Sequence, residues 1–299
     1  MDFVHQDSAL MQAAGINAVR TYRPITDVAV LDALHGRGIY VIMTIFYDSA
    51  YGDTAASAAS TACALRSHPA IVMWMVMNEP NIYYGGGTGF VAEAETVVSA
   101  IKAVDPSRPV SVCWGELPPW DVLAAVPSAD VWATNVYRGA SFHGLFWQWS
   151  QLSSKPLLMG EYGVDSFSSI LNAPDEATHA REVLGLMAEI EAASAATHHD
   201  GVAIGGCYFE FADEWWKFTG RSHDGEVHVW PGGPYAHDSH SGWTAGGYAD
   251  AAMHEEHFGL VDIFRSNGLT LSNSLSLEVA RAHVACADVA RAGVLCGPL

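Results

Sequence analysis

The chain has 299 residues, half of them hydrophobic, and a formal net charge of −19 that arises from 33 acidic and 14 basic residues. A chain of this length can bury one large core, so we expect a single domain over residues 1–299, with a long loop insertion at about 218–257. The negative charge argues against nucleic acid and anionic membranes as partners, because both would repel it. A neutral ligand fits this charge better.

Segments with the pattern of helices and of strands alternate along the chain. In chain order we predict helix 7–14, strand 16–22, helix 27–35, strand 39–46, helix 55–67, strand 71–77, helix 90–104, strands 110–114, 130–137 and 156–162, helix 176–196, strand 201–210 and helix 275–292. This alternation predicts an α/β fold with a parallel sheet and right-handed crossovers. Seven strands are visible.

The cysteines and the apolar runs limit the class of protein further. The chain has five cysteines, an odd number without short regular spacing, which argues against a disulfide framework and against a zinc site. Cys286 and Cys296 are the one pair that we keep open for a disulfide. The polar start Met1–His5 is unlike a secretory signal peptide. Apolar runs stay shorter than the roughly 18 residues of a membrane span. The sequence therefore leaves the compartment open.

An apolar run at residues 71–77 ends abruptly at Asn78, Glu79 and Pro80. Seven residues without a polar member are typical of a strand that is covered on both faces, as in parallel sheets. Pro80 has no amide hydrogen to donate, so strand pairing should end there. Asn78 and Glu79 should therefore project from the carboxyl end of the strand, where α/β barrels carry their chemistry.

A second apolar run, at residues 156–160, ends in Glu161. Two glutamates at the carboxyl ends of parallel strands predict a pair of carboxyl groups at one rim of a barrel. Glycoside hydrolysis requires such a pair: one group protonates the leaving oxygen, and the other attacks the sugar carbon or activates water. The many aromatic residues would suit stacking on sugars, although a large core also explains them.

Taken together, these motifs resemble the retaining glycoside hydrolases of the large (β/α)8 clan. That clan includes family 2 β-galactosidases and β-glucuronidases, family 5 cellulases and β-1,3-glucanosyltransferases. The matching stretches are residues 17–22, 68–71, 78–80, 135–137 and 155–163. The resemblance implies a TIM (β/α)8-type barrel. The two glutamates end the fourth and seventh strands in the clan but the third and sixth here, so we expect the first strand to be missing and strands 17–22 and 201–210 to have unpaired edges.

The resemblance also implies roles for individual residues. Glu79 would be the general acid/base, and Glu161 the nucleophile that forms a glycosyl-enzyme intermediate. Arg20 would stabilise the ionised Glu161, and Tyr137 would donate a hydrogen bond to the same carboxylate. Asn78 would hold the 2-hydroxyl of the sugar.

Three tryptophans are candidates for sugar contacts. Trp114 is either a sugar platform or a core residue, and in this clan an indole after the last strand commonly forms the floor of the site, a position held here by Trp215 or Trp216. The histidines do not predict a metal site, since His254 and His257 are three residues apart, whereas a helical zinc pair needs four. No cofactor is expected.

The predicted function is therefore hydrolysis of β-linked oligo- or polysaccharides with retention of configuration. Two alternatives stay open. One is a β-glucanosyltransferase that uses the same two glutamates and passes the glycosyl group to a sugar instead of water. The other is a noncatalytic carbohydrate-binding or truncated barrel. The sugar, the linkage and the oligomeric state cannot be read from the sequence.

Overall fold

We analysed a computed structural model of the chain. It describes residues 1–83, 89–168, 170–171, 173–213, 235–236, 248, 252–253, 257–265 and 271–275. Within these ranges, every helix is too short or too polar to cross a lipid bilayer.

Eight α-helices and thirteen strands make up the described part of the chain. They are α1 (Asp2–Ala13), β1 (Ala18–Arg20), α2 (Val28–His35), β2 (Tyr40–Ile45), a 3-10 helix (Ser49–Tyr51), α3 (Ala55–Leu65), β3 (Ile71–Val76), α4 (Pro80–Tyr83), α5 (Gly89–Val104), β4 (Val110–Gly115), α6 (Trp120–Ala125), β5 (Val131–Val136), α7 (Leu145–Leu152), β6 (Leu157–Tyr162), β7 (Phe167–Ser168), β8 (Ala173–Pro174), α8 (Glu176–Ala192), β9 (Ala203–Tyr208), β10 (Tyr235–Ala236), β11 (Ala252–Met253), β12 (Val261–Arg265) and β13 (Leu271–Leu275).

Seven of these strands form one parallel sheet in the order β1, β2, β3, β4, β5, β6, β9. All six strand pairs are parallel, as the alternation of strands and helices predicted. The α/β fold and the seven strands of a (β/α)8-type barrel are thus confirmed. The predicted strands correspond to the observed ones, with ends that differ by up to two residues.

The two outermost strands of the sheet, β1 and β9, approach each other without pairing. Their Cα atoms come within 8 Å of each other, yet each strand has a single partner in the sheet. Residues of α1, β1, β6 and β9 line a cavity of about 310 Å³ at this seam. The barrel is therefore nearly closed and has one strand fewer than the eight of a complete barrel.

The side chains of the sheet separate into an inner and an outer layer. The inner layer fills the barrel with apolar residues of five strands: Ile42, Met73, Met75, Cys113, Val131, Ala133 and Leu158. The larger outer layer lies between the strands and the helices, and includes Trp74 and Trp114. Because side chains alternate across a strand, Cys113 in the inner layer places its neighbour Trp114 in the outer one.

The structure adds elements that the sequence pattern did not predict. Helices α6 and α7 are only six and eight residues long, so their periodicity is weak. The antiparallel pair β7 and β8 follows β6. Two-residue strands β10 and β11 pair within the expected insertion at 218–257, most of which lies outside the described residues. The predicted helix 275–292 is wrong at Leu275, which ends β13, and the rest of it lies outside the described residues.

Candidate active site

Glu79 lies in a tight turn directly after β3. Both Met77 and Glu79 have positive φ angles, of 65° and 46°. Such angles are uncommon for residues with a side chain and cost about 1 to 3 kcal/mol each, and they are concentrated at functional sites. The Glu79 amide donates to the carbonyl of Cys113 at 3.1 Å, which ties the turn to β4. The Glu79 side chain is buried at the carboxyl end of the sheet.

A second pair of residues, Asn81 and Gly115, holds the same turn by two hydrogen bonds. The Asn81 side-chain amide donates to the Gly115 carbonyl at 2.9 Å and accepts from the Gly115 amide at 3.0 Å. Gly115 has no side chain, and a Cβ there would lie 2.6 Å from Cδ1 of Ile82. A side chain at this position would therefore displace Ile82, which packs in the turn against the end of β4.

Glu161 is directed into the site by an irregularity in β6. Opposite β5, Thr134 pairs with Met159 and Asn135 pairs with Glu161, so Gly160 is an extra residue on the β6 side. Such a bulge changes the direction of the following side chain. A Cβ on Gly160 would lie only 2.8 Å from Oδ1 of Asn135, which explains the need for glycine there.

The Glu161 carboxylate accepts hydrogen bonds from three side chains. Arg20 Nη1 donates to Oε1 at 2.9 Å, Tyr22 Oη to Oε1 at 2.7 Å and Tyr137 Oη to Oε2 at 2.7 Å. Burial, and next the negative charge of Glu161, raise the pKa of both tyrosines well above its ordinary value, so both hydroxyls remain protonated donors. One guanidinium and two phenols thus donate to this one carboxyl group.

Arg20 also connects the strands that carry the two glutamates. Its Nη1 donates to Oδ1 of Asn135 at 3.1 Å and to the Gly160 carbonyl at 3.0 Å, and its Nη2 donates to Oδ1 of Asn78. Asn135 in turn donates to Oδ1 of Asn78 at 3.1 Å. Since these donors occupy the Asn78 oxygen, its amide nitrogen is the group that could donate to a sugar hydroxyl.

Both glutamates belong to the same site. After burial and the charge of Glu161, the charge of Glu79 also contributes to the raised pKa of Tyr137, so both carboxyl groups lie within electrostatic range of one phenol. Arg20, Tyr22 and Glu161 line the cavity at the seam between β1 and β9, which gives the nucleophile candidate access to open space.

The structure brings most of the predicted residues together. Arg20, Asn78, Tyr137 and Glu161 form one hydrogen-bonded network. Trp114 is buried, with 6% of its surface exposed. Its ring packs at 5.4 Å against that of Phe90 in α5. This packing favours the core alternative of the two that the sequence left open. Trp215 and Trp216 lie outside the described residues.

Tyr22, Asn81 and Asn135 are residues of the site to which the sequence had not assigned a role. Asn135 lies two residues before Tyr137 on β5, and this alternation could have indicated that both face the site. Tyr22 ends the stretch that already matched the clan. Asn81 gave no signal, because its partner is a backbone group in another strand.

The chain is similar in sequence to known glycoside hydrolases. Residues 47–184 match the family model for the TIM barrel domain of glycosyl hydrolases family 2. The chain is 30% identical to rat β-glucuronidase over 122 residues, which are 36% of this chain and 18% of that protein. It is 28% identical to human β-glucuronidase over 122 residues, with the same coverage. The chain thus spans about a fifth of the length of these curated relatives.

Solved structures show the same fold. A β-glucuronidase from Bacteroides uniformis aligns with a TM-score of 0.58 and 17% identity, covering 71% of this chain and 28% of that one. A family 2 β-galacturonidase from Eisenbergiella tayi, bound to galacturonate, aligns with a TM-score of 0.61 and 16% identity over 95% of this chain and 47% of that one. The predicted resemblance is confirmed: residues 47–184 match the TIM barrel domain of glycosyl hydrolases family 2, and the fold is a (β/α)8-type barrel like those of these solved structures.

Proposed function

We propose that this chain is the catalytic domain of a retaining glycoside hydrolase that cleaves β-linked glycosides. The observation that carries the proposal is the environment of Glu161, whose two carboxylate oxygens accept from Arg20, Tyr22 and Tyr137. A buried carboxyl group at a strand end that accepts from a guanidinium and two phenols suits a nucleophile. Glu79, buried in the turn after β3 at the carboxyl end of the same sheet, suits the proton donor.

The reaction has two steps. In the first, Glu79 gives its proton to the leaving oxygen while an oxygen of Glu161 bonds to the anomeric carbon and the glycosidic bond breaks. In the second, Glu79 takes a proton from water, the water oxygen bonds to the anomeric carbon, and Glu161 leaves. Two inversions at one carbon retain its configuration. The amide nitrogen of Asn78 would bind the 2-hydroxyl, where hydrogen bonds strengthen in the transition state.

The similar proteins suggest which sugars to assay first. Their names specify β-glucuronides and a β-galacturonide as substrates of those proteins. A negatively charged sugar would need a cation, and the site arginine Arg20 is already bonded to Glu161, Asn78 and Asn135. We therefore extend the proposal to β-glycosides in general, without a choice between neutral and acidic sugars.

The test is a panel of nitrophenyl β-glycosides that includes β-glucuronide, β-galacturonide, β-glucoside and β-galactoside. The wild-type chain should release nitrophenol from at least one of them, with a β-anomer as the first product by NMR. Glu161→Ala should abolish turnover, and added azide should restore it with a glycosyl azide as product. An α-anomer as first product, or ordinary turnover by Glu161→Ala, would contradict the proposed mechanism.

A further inference from the structure

Three exposed aromatic side chains of the described residues follow the carboxyl ends of neighbouring strands. Tyr51 follows β2 and is 86% exposed, and Trp120 follows β4 and is 70% exposed. Tyr83, also exposed, follows β3 in the same connection as Glu79. All three belong to connections that leave the carboxyl ends of neighbouring strands, so they lie on the face that carries both glutamates.

Tyr51 and Trp120 stand on turns of defined shape. Tyr51 ends a 3-10 turn in which Asp48 accepts from the Ala50 amide at 2.9 Å, and the next residue, Gly52, has a φ of 86°. Trp120 begins α6 directly after two prolines, and Pro119 has a φ of −69°. A backbone held in this way loses little conformational freedom when a ligand binds to the ring that it carries.

The position of these rings beside Glu79 indicates which part of the substrate they would contact. Glu79 lies after β3, and β2 and β4 are the two neighbours of β3 in the sheet. In the proposed function Glu79 protonates the leaving oxygen, so the leaving sugar lies beside β3. The rim over β2, β3 and β4 is thus the side of the leaving group.

We propose that Tyr51, Tyr83 and Trp120 form a platform for the sugar units of the leaving group. The inference rests on the proposed function. It identifies the substrate class as a β-linked oligo- or polysaccharide that continues beyond the cleaved bond. Exposed planar rings fit such a ligand because sugar rings present apolar C–H faces to them, and because the acidic chain, at −19, does not repel a neutral saccharide.

The first experiment measures the dependence of cleavage on chain length. For the sugar that the nitrophenyl panel identifies, kcat/KM is measured for the nitrophenyl glycoside and for a β-linked pentasaccharide of that sugar. In Tyr51→Ala and Trp120→Ala, the ratio of the pentasaccharide value to the nitrophenyl value should fall by about 3- to 10-fold, the range expected for one aromatic contact. An unchanged ratio in both variants would overturn the platform.

Tyr40→Ala is the matched control. Tyr40 is also an exposed tyrosine, 37% exposed, but it begins β2 and therefore lies at the opposite end of the barrel. The ratio of the pentasaccharide kcat/KM to the nitrophenyl kcat/KM in Tyr40→Ala should equal that of the wild-type chain. A fall in Tyr40→Ala equal to that in Tyr51→Ala would mean that loss of any surface ring lowers the ratio, which would also overturn the platform.

A second measurement does not depend on turnover. Glu161→Gln is titrated calorimetrically with cellopentaose, laminaripentaose and xylopentaose, and the titrations are repeated with Tyr51→Ala and Trp120→Ala added to Glu161→Gln. At least one pentasaccharide should bind, and each added substitution should weaken it by roughly 3- to 10-fold. Binding without turnover by the wild-type chain would refute the proposed function and the assignment of these rings to a leaving group, and would keep only their role in saccharide binding. Turnover of nitrophenyl glycosides, with no effect of either substitution on pentasaccharide binding, would keep the proposed function and refute the platform. It would favour a protein partner for these rings.

Discussion

Arg20 and Glu161 form a buried ion pair although 141 positions separate them in the chain. Nη1 of Arg20 lies 2.9 Å from Oε1 of Glu161, and the two side chains are 3% and 9% exposed. Both guanidinium nitrogens of Arg20 that face the site donate to Glu161, Asn135, Gly160 or Asn78. This one side chain therefore orders the end of β1 and the groups around both glutamates.

Replacement of Arg20 should lower both stability and activity. Arg20→Met leaves the buried Glu161 carboxylate without its cation, which should cost about 3 to 5 kcal/mol of unfolding free energy. Arg20→Lys keeps the charge but not the forked geometry, so its loss should be intermediate. Urea denaturation and kcat/KM measure the two effects.

Lys102→Ala is the control for a general effect of ion-pair loss. Lys102 pairs with Asp130 in a partly exposed position, so its removal should cost at most about 1 kcal/mol. A cost for Arg20→Met no larger than that for Lys102→Ala would show that the Arg20 pair does not hold the site together.

Substitution of Glu79 should separate substrates by their leaving groups. Glu79→Gln removes the proton donor, so turnover of glycosides with poor leaving groups should fall by about 100- to 10,000-fold. A dinitrophenyl glycoside needs no protonation of its leaving oxygen and should lose far less in the first step. The measurement is kcat/KM for both substrates. Equal losses on both would remove Glu79 from the acid role.

The brace between Asn81 and Gly115 should affect turnover more than substrate binding. Asn81→Ala removes two hydrogen bonds that hold the Glu79 turn to β4, and leaves groups unpaired at a cost of about 1 to 3 kcal/mol. We expect kcat to fall with little change in KM.

Gly115→Ala should also lower kcat with little change in KM, because its Cβ would displace Ile82. Gly38→Ala, at a glycine with open space around it and a φ of 74°, serves as a control whose strain comes from the backbone and not from a displaced neighbour. A kcat loss in Gly38→Ala as large as in Gly115→Ala would contradict a local effect on Glu79.

The Tyr137 hydroxyl should make the protein less stable at alkaline pH. Burial and the charge of Glu161 raise the pKa of Tyr137 in the folded chain. Above about pH 10 the unfolded chain releases this proton while the folded chain retains it, so unfolding becomes more favourable as the pH rises. Urea denaturation between about pH 8 and 11 should show a smaller decline for Tyr137→Phe than for the wild-type chain. Parallel declines would contradict this assignment.

Trp114 should contribute to stability and not to sugar binding. Its indole fills the outer layer against Phe90, so Trp114→Ala should destabilise the fold by about 3 to 5 kcal/mol. The smaller change Trp114→Phe should keep KM at the wild-type value while thermal unfolding shifts downward. A marked rise in KM for Trp114→Phe at full stability would restore the sugar-platform interpretation.

Local sequence pattern determined the main elements and the position of the two glutamates. An apolar run that stops at Asn78, Glu79 and Pro80 can be recognised without knowledge of any distant residue, and so can the run that ends at Glu161. Both patterns act through strand pairing and burial, which are properties of a short segment.

Tertiary structure alone decided where the side chains of Glu161 and Trp114 point and which residues contact Glu161. The direction of Glu161 depends on the extra residue Gly160, which exists only relative to the register of β5. Trp114 faces the helices because Cys113 faces the barrel interior, and a strand buried on both faces gives no apolar alternation from which to read this. The convergence of Arg20 and Tyr137 on one carboxylate is a consequence of barrel curvature, which brings residues more than a hundred positions apart to one rim and which no local pattern encodes.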